Sequence, residues 1–151
     1  MKRIFFFILF VFMLVGCRSN NHQYHEVSTY EKAMQDSGID FEAPEELASS
    51  ILKDIRVYDE GMIEIIYLDL NHHETAVFQK AKKDSSLGGY SIQEEFEKKE
   101  TIEIEKNKYT IQRNRNVVYT IEWEKDEYTY FVYLVKGKQI NEIEKLVGEI
   151  D

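Results

Sequence analysis

Cysteine is almost missing from this 151-residue chain, in which Cys17 stands alone. No disulfide can close within it, so its fold rests on an apolar core and backbone pairing. Proline occurs once, at Pro44, and glycine seven times, far below the proportions of a collagen-like or low-complexity chain. Basic residues are in deficit, with 19 Lys and Arg against 28 Asp and Glu. That balance excludes recruitment to nucleic acid by bulk charge. Long apolar runs are lacking too. The one candidate, Ile4–Gly16, has 13 residues, whereas a membrane-spanning helix needs about 20.

What the N-terminus does have is order. Lys2 and Arg3 precede the apolar run, and a short basic start before about a dozen apolar residues is the pattern of a secretory signal. The positive end stays inside, so the rest of the chain is translocated. Leu14-Val15-Gly16-Cys17 resembles the lipobox of bacterial lipoproteins. The resemblance implies a diacylglyceryl group on the Cys17 thiol and peptidase cleavage between Gly16 and Cys17. It also implies a protein held by lipid (palmitate-type acyl chains) at the outer, extracytoplasmic face of the cell membrane. Two or more acyl chains anchor stably where one is marginal, at about 0.8 kcal/mol per buried methylene. Loss of residues 1–16 removes Lys2 and Arg3, leaving 135 residues with 17 basic against 28 acidic side chains, formally −11. That length suits one domain.

Residues 17–27 read as a polar lipidated tether, and 28–151 as a single domain. Ser28-Thr-Tyr-Glu31 has the form of a capping box opening a short helix over 29–37, with Tyr30, Ala33 and Met34 on one face and Gly38 as its stop. From residue 50 the apolar period becomes two. Strands are expected at 51–57, with Ile51, Ile55 and Val57 on one side, and at 62–70, 75–82, 101–105, 109–113, 117–123 and 128–135. Short turns at Asp59–Gly61, Asn71–Glu74, Lys106-Asn107, Asn114–Asn116 and Lys125-Asp126 make this an antiparallel meander. Asp84–Tyr90 reads as the flexible loop. In 117–123 the alternation predicts one wet face, carrying Val118, Thr120, Glu122 and Glu124. In 128–135 both faces are apolar or aromatic, which predicts a central strand covered on both sides. A second capping box, Asn141-Glu-Ile-Glu144, opens a C-terminal helix with the stripe Ile140, Ile143, Leu146, Val147 and Ile150. The predicted fold is α+β, a curved antiparallel sheet of six or seven strands with an N-terminal and a C-terminal helix packed on it.

The order of Ser37-Gly38-Ile39, Phe41–Leu47, Ile65-Ile66-Tyr67, Val77–Ala81, Ile121-Glu-Trp123, Tyr128-Thr-Tyr130 and Asn141–Leu146 resembles a family of exported domains of unknown function. That family occurs in lipoproteins of low-GC Gram-positive bacteria and in anti-sigma-factor-like membrane proteins, and the likeness spans about residues 29–151. The family loop often carries Ser-Gly-Asp-Tyr where this chain has Ser86-Leu-Gly-Gly-Tyr90, so Gly89 stands at the acidic position. The resemblance implies no catalytic activity.

No motif names a reaction. His72-His73-Glu74 could supply metal ligands, but adjacent strand residues point to opposite faces and a solvated turn is the better account. His22 and His25 lie in the tether. Glu94, Glu95, Glu97 and Glu100 surround Phe96 as a solvated loop or helical turn, and Ser85-Ser86 lacks a nucleophile-elbow context. No catalytic residue, metal or cofactor is assigned. Tyr128, Tyr130, Tyr133 and Trp123, with Lys80 and Lys82, form the candidate binding surface. The competing account makes the aromatics core and the lysines guards of an exposed strand. The leading expectation is a non-enzymatic binding or sensing module of the cell envelope. Its partner would be an envelope protein, lipid or wall component, besides the membrane itself. A lipid-carrier-like half-barrel around an apolar ligand and an envelope hydrolase are the alternatives.

Overall fold

The computed structural model describes residues 23–45, 47, 50, 52–85 and 94–150. Leu14–Cys17 with its cleavage and lipidation sites, His22, Ile51 and the Ser86–Tyr90 loop lie outside the described residues. The fold is α+β, with one open antiparallel sheet of eight strands and two short helices. The strands are β1 (Tyr24–Val27), β2 (Leu52–Tyr58), β3 (Met62–Leu68), β4 (Glu74–Lys82), β5 (Lys98–Ile104), β6 (Asn107–Asn114), β7 (Val117–Lys125) and β8 (Tyr128–Gln139). The helices are α1 (Tyr30–Ser37) and α2 (Ile143–Gly148), the latter entered through a 3-10 turn at Ile140–Glu142.

The eighth strand is β1. It pairs along Arg56 and its neighbours, although its polar side chains had suggested tether. An edge strand held by backbone bonds needs no apolar alternation, so periodicity could not find it. The order across the sheet is β1-β2-β3-β4-β8-β7-β6-β5. A single meander would place β5 beside β4. Instead two four-stranded meanders meet at β4 and β8, and the chain between them crosses to the far edge. β8 takes the inner place because both its faces are apolar, so an edge position would leave one of them wet.

Helix α1 is capped by Thr29, whose side chain accepts from the Lys32 N–H at 3.2 Å. Ser28 is therefore not the cap, and the start lies one residue later than the box motif suggested. Gly38 closes the helix at φ 68°, where a side chain would be strained, and its N–H reaches the Met34 carbonyl at 2.8 Å. At the other end of the chain, Glu142 caps the Gln139 N–H at 3.2 Å, two residues before Asn141. Ile143, Leu146, Val147 and Ile150 are buried as the stripe required, whereas Ile140 is 36% exposed.

One face of the sheet carries the main core. Ile55, Val57, Ile63, Ile65, Tyr67, Phe78, Val132, Ile121, Trp123 and Ile111 are buried there, closed over by α1, the Ile39–Ala43 segment and α2. The opposite face holds a second cluster of Ile66, Leu68, Val77 and Tyr133, against which Phe131 packs. β7 departs from the expected wet face. Tyr119 has no opposite number on β6, and between Val118↔Lys138 and Thr120↔Tyr133 it faces residues 134–137 of β8. This bulge resets the alternation, so Val118 enters the core with Ile121 and Trp123, and Thr120 is buried too. Among the described residues no helix is long and apolar enough to cross a membrane.

Candidate functional site

Two irregularities shape one end of the sheet. Opposite Tyr67 and Leu68, β4 offers Ala76 and Glu74, so Thr75 is the extra residue of a bulge. The second is the bulge at Tyr119. Between them opens a cleft of about 410 Å³ lined by Ser50, Thr75, Val117, Leu134, Lys136 and Lys138, together with Leu47, Gly137, Gln139 and Glu142. Thr75 Oγ1 donates to the Tyr67 carbonyl at 3.0 Å and lies 2.6 Å from Ser50 Oγ. Gly137 sits at φ 64°, and a Cβ there would lie 2.3 Å from Val117 Cγ1 and 2.9 Å from the Val118 carbonyl. Only glycine lets β8 pass β7 this closely. A second cleft of about 310 Å³ shares Leu47, Lys138 and Glu142 with the first and adds Lys145. Lys136, Lys138 and Lys145 thus gather at one end of a strongly acidic chain. A third hollow of about 300 Å³, between α1 and the following segment, is instead lined by Glu31, Asp40, Glu42 and Glu45.

On the second sheet face a polar row crosses four strands. Glu26, Arg56, Glu64 and Gln79 stand directly opposite one another on β1, β2, β3 and β4. Glu64 is only 3% exposed, and a buried carboxylate needs donors. It accepts from Gln79 Nε2 at 2.6 Å, Tyr58 OH at 2.9 Å and Arg56 Nη1 at 3.3 Å. The Arg56 guanidinium lies 4.9 Å from the Tyr24 ring centre, and its Nε is 3.6 Å from Glu26 Oε1. Burial works against the Arg56 charge, yet the attraction of Glu64 holds its pKa above the ordinary value. Burial, then Glu64, pushes the Tyr58 hydroxyl well up. A lone glutamate inside Met62–Leu68, otherwise wholly apolar or aromatic, was the sequence signal for this row.

The six residues of the candidate binding surface do not share one surface. Trp123 and Tyr130 stack at 4.8 Å and 8°, and Tyr109 and Phe41 close on them at 5.4 and 6.4 Å. Lys80 lies beside them, its Nζ 4.9 Å from the Tyr128 ring and 5.1 Å from that of Tyr130. Trp123, Tyr130 and Lys80 are buried, and Tyr128 is half-buried. Tyr133 belongs to the opposite face, while Lys82 is exposed and its stem passes Gly61. Lys80 is no guard of an exposed edge, because β4 lies between β3 and β8. A long apolar stem over two aromatic faces explains a lysine at that depth. Lys53 is held similarly. Its Nζ donates to Tyr30 OH and to the Pro44 carbonyl, both at 3.0 Å, and the Tyr67 hydroxyl donates to that same carbonyl.

His72 and His73 occupy the β3–β4 turn, which Asp69 organises by accepting from the Asn71 and His73 N–H groups at 2.8 and 2.9 Å. The His73 and Asn71 N–H groups hold the Asp69 carboxyl below its usual range. Among the described residues, no three His, Cys, Asp or Glu side chains are gathered as a cation would need. Phe96, set among the glutamates, stacks on Tyr119 at 5.4 Å. The end of the sheet with Lys136 and Lys138 escaped the sequence reading because bulges leave no periodic trace. No family model, no curated protein and no solved structure matches the chain.

Proposed function

We propose that this protein is a lipid-anchored extracytoplasmic lipoprotein whose domain is a non-enzymatic binding module of the cell envelope. The lipobox at Leu14–Cys17 supports the location. The binding reading is carried by the double-bulge cleft, where Gly137, Lys136 and Lys138 face Ser50 and Thr75. Bulges of this kind recur beside functional sites because they re-aim side chains at the cost of regular pairing. The Glu64 carboxylate and the Lys53 ammonium are committed to donors and acceptors within the fold and serve it. The resemblance to exported domains of Gram-positive lipoproteins agrees with this reading and adds no chemistry.

Two measurements test it. Metabolic labelling with a palmitate analogue is expected to mark the native chain and to leave Cys17→Ala unlabelled. Equal label on both would remove the anchor. Crosslinking in intact envelopes, followed by affinity isolation, is expected to enrich a partner that Lys138→Glu loses. Enrichment no better than that of a charge-matched lipoprotein would remove the binding role.

A further inference from the structure

The two edges of the sheet are built differently. β1 is four residues long, a common way to leave little free backbone. β5 runs for seven residues, Lys98–Ile104, without proline or bulge, and among the described residues β6 is its only neighbour. Glu105 (φ 49°) and Lys106 (φ 73°) form the two-residue turn between β5 and β6, one residue earlier than the turn expected at Lys106-Asn107. Both φ values are positive, as in the tight hairpin turn whose twist matches the strands. The residues flanking such a turn, Ile104 and Asn107, form a hydrogen-bonded pair. Alternation then assigns Ile102–Tyr109 and Glu100–Ile111 to bonded pairs. The N–H and C=O groups of Lys99, Thr101 and Glu103 therefore point away from β6, and these three side chains are exposed.

We infer that β5 is the seam of a homodimer, pairing antiparallel with β5 of a second copy about a two-fold axis at Thr101. In that register Lys99 of each copy faces Glu103 of the other, and both residues carry outward backbone groups, so charge and hydrogen bonding agree. On the other face Ile102 meets Glu100, and Ile104 meets the stem of Lys98. A shift of two residues one way sets Glu100 against Glu100. The opposite shift leaves only residues 100–104 to pair, because Glu105 and Lys106 lie in the turn. Like charges directly opposite are destabilising, so one register is favoured over its neighbours. The two sheets then run on as one, and the longest free edge among the described residues disappears.

Full-length protein in detergent micelles tests the seam by sedimentation, and intact membranes test it by disulfide trapping. Wild type is expected to sediment as a dimer. Lys99→Glu and Glu103→Lys are each expected to weaken it about tenfold, because each replaces two attractive pairs with two repulsive ones. The double exchange K99E/E103K is expected to restore it. Thr101→Pro removes an outward N–H while sparing the β6 ladder, and should yield a folded monomer. Thr101→Cys should give a disulfide-linked dimer in membranes that wild type, carrying only Cys17, does not give. A monomeric wild type, a dimer that survives Thr101→Pro, or a double exchange that stays as weak as the single ones would each overturn the proposal.

Discussion

Glu64 on β3 and Gln79 on β4 face each other inside the second layer of the sheet, and the amide donates to the carboxylate at 2.6 Å. Arg56 approaches the same carboxylate from the other side. Ion pairs so placed gain little over apolar packing, yet breaking one strands a charge without its partner. Arg56→Leu should cost about 3 kcal/mol, near the lower end for a broken buried pair because the arginine is about one-quarter exposed. The double change Arg56→Leu with Glu64→Leu should cost at least ~1 kcal/mol less than the sum of the single changes. Urea denaturation of the four proteins measures both quantities. Additive costs would mean that the two side chains act independently.

At the start of α1, Thr29 and Ser28 make opposite predictions. The Thr29 side chain accepts from the Lys32 N–H, so Thr29→Ala should cost about 1 kcal/mol. Ser28→Ala should change stability by less than ~0.5 kcal/mol, as for a surface position without a special role. Thermal melts of both variants decide which residue caps the helix.

Those two neighbours also show where the sequence could and could not be read. A Ser-x-x-Glu box and a Thr cap differ by one residue, and the choice depends on which φ becomes helical first, which tertiary contacts decide. The apolar alternation of β2 and β6 was legible because burial of one face imposes period two, and β3 and β8 were legible as near-continuous apolar runs buried on both faces. β1 was not, since its side chains pack little and its pairing runs through the backbone. In β7, Val118 reads as outward by strict alternation, and only the bulge at Tyr119 turns it inward. The stripe of α2 was legible apart from Ile140, which the 3-10 turn rotates off the core. Lys80 looked like an exposed guard because sequence alone could not place β4 between β3 and β8. The cleft depends on two bulges and a glycine from separate strands, so no local pattern could have revealed it.

Glu74 opens β4 with its carboxyl half-buried. Burial, then the nearby Glu64 charge, raises its pKa above the ordinary 4.5, against a smaller opposing pull from Arg56. The folded protein therefore holds this proton more tightly than the unfolded chain does. Stability owed to the group is complete below pH 4.5 and falls as pH rises through the raised value. Glu74→Gln removes that dependence. The variant should gain on wild type between pH 4 and pH 7, most of the gain arising just above pH 4.5. Chemical denaturation across that range tests the sign. A variant that loses ground as pH rises would place Glu74 in a favourable ion pair instead.

Gly137 is the position where shape and backbone agree most closely. Its φ of 64° disfavours any side chain, and an added Cβ would sit 2.3 Å from Val117 Cγ1 and 2.9 Å from the Val118 carbonyl. The methyl of Val117 could rotate away, but the carbonyl is part of the β7–β8 ladder and cannot. Gly137→Ala should therefore cost about 2–4 kcal/mol, combining a strained backbone with overpacking. An exposed Gly38→Ala, with the same sign of φ and nothing within 4 Å of its Cβ, should cost only about 1 kcal/mol. The difference between the two melts isolates the close approach of β8 to β7 from the conformational preference that both glycines share. Equal losses would mean that the approach contributes nothing, and that the cleft wall at Lys136–Lys138 can accept a side chain without moving.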